Sequence, residues 1–408
     1  MGRWHVRCQL AHPPIANGKR NSPPEPDAVT AELIFKNASI MLPEEIVHGS
    51  IAVSCGKIRD VSAGAIGAAG EELEGDLLMP GLVELHTDHL ETHLQPRPKV
   101  RWPAASAVAA FDAQIAASGI TTAFDCVRAG RDVDNASERD DIFNVVATLH
   151  DAGERGSLRA DHKLHVRCEV CADDVVSLVG ELMQRYPVHL MSLMDHTPGA
   201  RQFRAIETWR TYYGGKSGMP LEELDKLIAR KTEQYGRNYY RHRKQLVRLA
   251  AGHDVLLASH DDTTEAHVEE SIADGVAIAE FPTTLAAARR SNEANLRVVM
   301  GAPNLVRGGS HSGNVAAETL AREGVLDILS SDYVPASLLF GAFEIARRIE
   351  GYSLPRAVQA VTLNPARAAG LADRGEIAPG KRADLVRVRV VNGTPWVREV
   401  YRDGRRVI

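Results

Sequence analysis

Residues 79–93 (MPGLVELHTDHLETH) run from an apolar segment directly into side chains that can bind a metal ion. The apolar part predicts a short buried strand. Side chains along a strand alternate between its two faces, so His86 and Asp88 emerge on the same side. An imidazole and a carboxylate at this spacing suit zinc, manganese or iron. The segment therefore predicts two ligands of a metal site at the end of a strand.

A rival motif lies in the same segment, because His89 and His93 are four residues apart and would share a helix face. The metalloprotease pattern HExxH requires Glu directly after the first His, and Leu90 stands there. We therefore assign metal binding to His86 and Asp88. The alternative is a strand end with ordinary polar residues.

Composition excludes several classes of partner. The chain has 408 residues, a formal net charge of −5, 44% hydrophobic and 25% charged residues. This balance provides no basic field for a nucleic acid polymer and no broad attraction to an anionic membrane. No apolar run reaches the roughly 18 residues of a membrane span. An anionic small-molecule substrate must therefore be held by local cations.

Cysteine usage indicates a reducing compartment. The five cysteines are odd in number and scattered, which fits reduced thiols in the cytoplasm. Cys168 and Cys171 form one CxxC without a second pair, so we expect core thiols there. Residues 1–30 lack the apolar stretch of a signal peptide and are rich in proline, which predicts a disordered tail.

The two ends of the chain share a pattern of short strands and turns. It covers residues 31–77 and 375–408. Because chain ends usually lie near each other, we expect one small β-sandwich domain built from both. The segment between them, residues 78–374, would then be an insert.

This middle segment alternates strand and helix patterns, which indicates repeated βαβ units. Eight strands fit a (β/α)8 barrel of the α/β class slightly better than an open sheet, and barrels place their active sites at the carboxyl ends of the strands. The predicted strands are 82–86, 120–126, 164–170, 188–194, 255–260, 276–280, 297–300 and 326–331. The polar stretch 197–240 is unusually long and predicts a substrate-binding loop after the fourth strand.

Side chains that can bind metal follow several of these strands. Each alone is more often a cap or a core residue, but their convergence on one rim favours a metal site. The predicted ligands are His86, Asp88, Glu169, His196, His260 and Asp332.

Three of these carry a further expectation. Glu169 is predicted to bridge two cations about 3.5–4 Å apart; its alternative is a salt bridge with Arg167 or Arg128. Glu280 competes with His196 as a ligand, and we rank His196 higher. Asp332 is predicted to act as the general base that takes a proton from water; its alternative is a helix cap.

Several motifs resemble those of the amidohydrolase superfamily: the metal strand at 80–88, Ser331–Asp332, the Asn364–Pro365–Ala366 helix and GEIAPGKRADLV at 375–386. The resemblance covers nearly the whole chain after residue 31. Four longer segments are similar to the phosphonate-metabolism branch of that superfamily. They are ELHTDHLETHLQPRPKVRWP at 84–103, MSLMDHTPGARQF at 191–203, ASHDDTT at 258–264 and PNLVRGGSHSGN at 303–314.

The resemblance implies hydrolysis of the triphosphate tail of a small phosphorylated sugar phosphonate, ribose 1-methylphosphonate 5-triphosphate, with release of pyrophosphate. Basic residues near the strand ends support an anionic substrate. We expect Arg97, Arg201, Lys216 in a Gly-rich turn, and His311 to bind it; the alternative is a solvated basic surface.

The sequence departs from the superfamily in its expected ligands. Most members carry HxH where this chain has His86 and Asp88, and many carry a carboxylated lysine where Glu169 stands. Both changes add negative charge, which favours hard cations such as Mn²⁺ or Mg²⁺, so zinc is not assumed. The sequence does not distinguish between a site for one divalent ion and a site for two.

Two other functions also remain open: hydrolysis of a C–N bond in a cyclic amide or aminopurine, and a metal-free, non-catalytic scaffold. Barrels with such a β domain often pair, so a homodimer is a further expectation.

Overall fold

The computed structural model describes residues 32–64, 67, 69–97, 99–130, 139–203, 205–310 and 313–408. The predicted tail, residues 1–30, and His311 lie outside the described residues. None of the helices in the described ranges has the length and apolar composition that crossing a membrane requires. The four cysteines that fall within these ranges form no disulfide bond with one another.

The strands are numbered in chain order. They are β1 (Leu33–Met41), β2 (Ile46–Ser54), β3 (Lys57–Ala63), β4 (Glu71–Glu72), β5 (Leu77–Pro80), β6 (Leu82–Thr87), β7 (Ile120–Ala129), β8 (Asp161–Glu169), β9 (Val188–Met194), β10 (Leu256–His260), β11 (Ile278–Glu280), β12 (Arg297–Gly301), β13 (Ile328–Ser330), β14 (Leu385–Val391), β15 (Thr394–Arg402) and β16 (Arg405–Arg406).

The α-helices follow the same convention. They are α1 (His89–Leu94), α2 (Ala104–Ala117), α3 (Arg139–Glu154), α4 (Val175–Arg185), α5 (Ile206–Ser217), α6 (Leu221–Gly252), α7 (Glu265–Ala273), α8 (Leu285–Glu293), α9 (Ala302–Arg307), α10 (Ala317–Arg322), α11 (Ser337–Arg348), α12 (Leu354–Gln359) and α13 (Leu363–Ala368).

One sheet is built from both ends of the chain. Its strand order is β16-β15-β14-β5-β1-β2-β3, with β4 paired to β1. The two ends meet where β14 pairs antiparallel with β5, Leu385 opposite Pro80. Apolar side chains such as Phe35, Ile51 and Leu78 form its core. This sheet confirms the predicted joining of the two ends, whereas the exact domain boundaries stay a prediction.

The other eight strands, β6 to β13, form a parallel sheet in chain order. The first and eighth strands meet at their carboxyl ends, where the Asp88 N–H donates to the Asp332 carbonyl at 2.8 Å and the Asp332 N–H donates to the His86 carbonyl at 3.1 Å. Helices alternate with the strands. The predicted (β/α)8 barrel is confirmed, and its eight strands correspond to the predicted ones with differences only at their ends.

The barrel interior is layered. An apolar layer contains Phe124, Leu190, Ala258, Ile278 and Ile328. Residues two positions apart on a strand share a face, so each of these strands carries its next inward side chain one layer closer to the carboxyl end. Those side chains are Cys126, Ser192, His260, Glu280 and Ser330. The apolar layer therefore lies directly beneath a polar layer, at the end of the barrel where the predicted ligands lie.

The predicted loop at 197–240 was wrong. After a short 3₁₀ turn at Arg201–Phe203, this stretch forms α5 and most of the 32-residue α6. The predicted Gly-rich turn around Lys216 is also helical, because α5 continues to Ser217 and Gly218 ends it with φ of 68°. Polar residues along α6 mark its solvent-facing side rather than a loop, which is why the sequence was misleading.

A buried charged group fastens α2 to the barrel wall. His162, at the start of β8, lies 2.8 Å from Asp125 on β7 through Nδ1 and 3.2 Å from Asp112 on α2 through Nε2. Burial alone would lower the pKa of His162, but the two carboxylates raise it to about 10. The imidazole is therefore charged and links two strands and a helix.

We expect His162→Gln to reduce the free energy of unfolding by about 3 kcal/mol near neutral pH, since one partner of a buried ion pair is lost. The unfolded pKa of histidine is about 6.5, so the wild-type advantage is full below that pH and disappears as the pH rises through the folded value. Urea unfolding of the wild type and of His162→Gln, repeated across this pH range, measures the difference in their free energies of unfolding. The exposed His253→Gln is the control, and a difference independent of pH would contradict this assignment.

Candidate functional site

A buried carboxylate organises the end of the barrel. Glu280, the last residue of β11, accepts from Nδ1 of His86 at 3.0 Å and from Nδ1 of His260 at 3.3 Å. Ser192 on β9 donates its hydroxyl to the same carboxylate at 2.7 Å. Because a carboxylate only accepts, both imidazoles carry their proton on Nδ1. Their Nε2 lone pairs are thereby made available on the other side of each ring.

One group of possible metal ligands forms around His86. Its ligand atom and those of Asp88 and Asp332 all lie within 4.8 Å of one another. Oδ1 of Asp88 is 3.8 Å from Nε2 of His86, and this buried oxygen has no hydrogen-bond partner among the described residues. A buried carboxylate oxygen without a partner is costly unless a cation compensates it. The residues present fit a divalent metal.

A second group forms around His260. Ligand atoms of His196, His260 and Asp261 also lie within 4.8 Å of one another. Nδ1 of His196 donates to Glu169 at 2.7 Å, and its backbone N–H donates to the same carboxylate at 3.2 Å. Glu169 thus holds His196 as Glu280 holds His86 and His260. Carboxylates that orient ligating imidazoles are a common feature of metal sites.

Charges in the site shift several pKa values. Burial alone would lower the pKa of His86, but Glu280 raises it. Burial would raise the pKa of Asp88, yet the nearby Arg167 guanidinium holds it well below its usual range. Burial, reinforced by the Asp88 carboxylate, raises the pKa of Asp332 to about 6. Asp332 is therefore suited to exchange a proton near neutral pH.

An open cavity of about 350 Å³ lies above these groups. Three arginines line it: Arg128 and Arg167 from the ends of β7 and β8, and Arg307 from the end of α9. Arg167 pairs with Asp88 and approaches Nε2 of His260 at 3.5 Å. Tyr212 and Tyr213 of α5 also line the cavity. The site thus combines two groups of possible metal ligands with guanidinium donors for an anion.

The structure brings five of the predicted ligands into these two groups: His86, Asp88, His196, His260 and Asp332. Glu169 belongs to neither group and contacts His196 instead, so its predicted bridging role has no geometric support here. Glu280 lies within reach of His86 and His260. Its bonds to their Nδ1 atoms favour an orienting role over the ligand role.

The predicted substrate-binding residues are placed differently. Arg97 is exposed and does not line the cavity. Arg201 is buried, and its guanidinium is paired with Asp262 and bonded to Tyr239 at 2.9 Å, so it braces α6 against the barrel. For Lys216, the side chain lies outside the described part of the chain. His311 lies outside it entirely.

Sequence reasoning missed other residues of the site. Asp261 directly follows His260, and this adjacency was an available signal. Glu84 on β6 is buried and accepts from the backbone N–H of His86 at 2.7 Å and from that of Ser331, which joins the first and eighth strands. The three arginines of the cavity are distant in sequence, and only the fold brings them together.

Comparisons with known proteins identify the relatives of this chain. Residues 224–408 match the model of the amidohydrolase family, Amidohydro_3. The chain is 45% identical over 378 residues to the alpha-D-ribose 1-methylphosphonate 5-triphosphate diphosphatase of Escherichia coli (strain K12), covering 92% of this chain and 100% of that protein.

Solved structures share the fold. The 5-methylcytosine deaminase of Klebsiella pneumoniae has a TM-score of 0.64 at 15% identity, over 92% of this chain and 98% of its own. The N-acetylglucosamine-6-phosphate deacetylase of Pasteurella multocida has a TM-score of 0.61 at 11% identity, over 92% and 99%.

We expect Glu280→Gln to weaken Mn²⁺ binding by about 10–100-fold, because an amide oxygen cannot replace both carboxylate oxygens and one imidazole loses its orienting partner. Equilibrium dialysis followed by elemental analysis measures this. Glu223→Gln, at an exposed position of α6, is the matched control and should bind like the wild type. Unchanged affinity in Glu280→Gln would show that the carboxylate does not position the ligands.

Proposed function

The chain belongs to the amidohydrolase family, and we propose that it hydrolyses the triphosphate tail of ribose 1-methylphosphonate 5-triphosphate and releases pyrophosphate. The Escherichia coli relative, whose name states this substrate, is matched over its entire length. The observation that carries the proposal is a single cavity that joins two groups of metal-binding residues to three arginines.

The charge of the cavity fits a polyphosphate. Guanidinium groups bind phosphate oxygens through two parallel, charge-assisted hydrogen bonds. Arg128, Arg167 and Arg307 reach the cavity from three different elements and so can contact different parts of an extended anion. A neutral cyclic amide or aminopurine offers these guanidinium groups no anionic oxygen to bind. The cavity therefore suits a phosphoanhydride better than an uncharged C–N substrate.

His86, Asp88 and Asp332 would hold one divalent cation, and His196, His260 and Asp261 a second. When bound there, such ions lower the pKa of water and neutralise phosphate charge. Three of the six residues are aspartates, which favours a hard cation such as Mn²⁺ or Mg²⁺ over zinc. We infer that these residues, rather than Glu169, supply the carboxylate ligands.

Different residues of the chain have different roles in the hydrolytic step. A water oxygen attacks a phosphorus of the tail while the P–O bond to the departing pyrophosphate breaks. Asp332 takes the proton that the attacking water loses. The arginines of the cavity bind the charge that accumulates on the leaving pyrophosphate. The product that remains carries a single phosphate at the 5-position.

Phosphorus NMR tests the reaction directly. Incubation of Mn²⁺-loaded protein with ribose 1-methylphosphonate 5-triphosphate should replace the three triphosphate resonances by those of pyrophosphate and a phosphate monoester, while the phosphonate resonance persists. Asp332→Asn should slow this by about 10²–10⁴-fold, the usual value of a general base. An intact triphosphate, together with cleavage of cyclic amides, would overturn the proposal.

A pair of arginine variants tests the binding mode. We expect Arg307→Gln to raise KM for the triphosphate by about 10–150-fold with little effect on kcat, since one charge-assisted contact of about 1.5–3 kcal/mol is lost. Arg97→Gln, outside the cavity, should leave both constants unchanged. Steady-state kinetics with the two variants shows whether Arg307 or Arg97 binds the substrate. A KM effect confined to Arg97→Gln would instead support the expectation drawn from the sequence.

A further inference from the structure

A smaller cavity, here called the side cavity, lies next to the main cavity of the candidate site. It is bounded by α1, α3 and the carboxyl half of β7, and its volume is about 90 Å³. Glu91 and Arg128 line both cavities, so these two side chains form their common boundary. A ligand group held at this boundary can therefore extend into either cavity.

The wall of the side cavity is mainly apolar. Its apolar lining comes from Leu90, Leu94, Ile142 and Val145, together with the indole of Trp102. Apolar walls with a few polar groups are typical of cavities that bind small molecules. A hydrocarbon group that enters such a cavity is removed from water, which favours its binding. The side cavity therefore suits a small apolar group.

The charged residues show where an anion would lie relative to that group. Arg101 and Asp141 both line the side cavity and pair with each other, so together they add no net charge. Arg128 lies at the boundary, and its five N–H donors allow it to bind an anion besides its neighbours. The arrangement fits a hydrocarbon group bonded directly to an anion, with the anion at the boundary and the hydrocarbon inside.

The proposed substrate has this chemistry at one end. Ribose 1-methylphosphonate 5-triphosphate carries the triphosphate at C5 and, at C1, a methyl group bonded directly to an anionic phosphonate. With the tail at the two groups of possible metal ligands, Arg167 and Arg307 line the part of the main cavity that remains for its charge. Glu91 then offers an acceptor for the ribose hydroxyls, and Arg128 offers donors for the phosphonate.

We propose that the side cavity is the subsite for the hydrocarbon group of the phosphonate, with Arg128 at the phosphonate oxygens. The inference rests on the proposed function and deepens it, because it assigns the end of the substrate that does not react. A volume of about 90 Å³ is several times the roughly 10–15 Å³ that one water molecule needs. The subsite therefore accepts a chain longer than methyl, and its apolar walls set the limit on chain length.

Substrates with a methyl, ethyl or propyl phosphonate test the subsite. Each buried methylene should lower KM about fourfold, which corresponds to about 0.8 kcal/mol, so the propyl compound should have a KM about 15-fold below that of the methyl compound. We expect no change in kcat, since the chain is remote from the reacting phosphorus and binds equally well in the ground state and the transition state. A KM that is independent of chain length in the wild type would overturn the proposal.

Two variants of Val145 should change this preference in opposite directions. Val145→Phe fills the cavity and should abolish the preference for propyl over methyl. Val145→Ala enlarges the cavity and should extend the gain to a butyl chain, a result that a poorly folded protein cannot produce. Val391→Phe, at an exposed position of β14, is the matched control and should keep the wild-type preference. The same preference in Val145→Phe as in Val391→Phe would contradict the assignment.

Calorimetry separates this proposal from the proposed reaction. Titration of the Mn²⁺-loaded protein with ribose 1-methylphosphonate 5-phosphate and with its propyl analogue should show tighter binding of the propyl compound to the wild type but not to Val145→Phe. Hydrolysis of the methyl substrate without any effect of chain length would refute only the subsite. An effect of chain length on binding without hydrolysis would refute only the reaction, and the absence of both binding and hydrolysis would contradict both.

Discussion

The candidate site depends on one buried interaction, the acceptance of two imidazole protons by Glu280. Its carboxylate, at the end of the sixth barrel strand, contacts Nδ1 of His86 on the first strand and Nδ1 of His260 on the fifth. A buried carboxylate is stable only when such donors compensate its charge. The histidines provide that compensation, and in return their rings are fixed in the tautomer and orientation that metal ligation needs.

The same region closes the barrel. Backbone hydrogen bonds between the first and eighth strands occur at His86, Asp88 and Asp332, the residues of the first group of possible metal ligands. The turns after the strands are strained: Asp261, Phe281 and Asp332 have φ of 57°, 54° and 54°, a conformation that is rare for a residue such as Phe. The closure of the barrel, the strained turns and the possible metal ligands therefore all lie in one small region. The apolar layer beneath this region supports it.

Local pattern predicted the architecture because each barrel strand is a short apolar run between turn residues, and the polar residue that ends it is visible in the sequence. It predicted His86 and Asp88 from alternation alone. It could not predict which carboxylates bind metal and which orient histidines. Glu280 and Glu169 accept hydrogen bonds from imidazole Nδ1 atoms, and this contact is visible only in the structure. It also misread α6, whose polar residues are those of a solvent-facing helix, and Arg201, whose charge is neutralised by Asp262.

Glu280 orients His86 and His260, and His86, Asp88 and Asp332 would hold the cation. Anomalous diffraction from crystals soaked in Mn²⁺ tests this most directly. We expect a manganese peak bonded to His86, Asp88 and Asp332, with Glu280 still accepting from Nδ1 of His86. A peak bonded to the Glu280 carboxylate, or no peak within the group, would contradict the central claim.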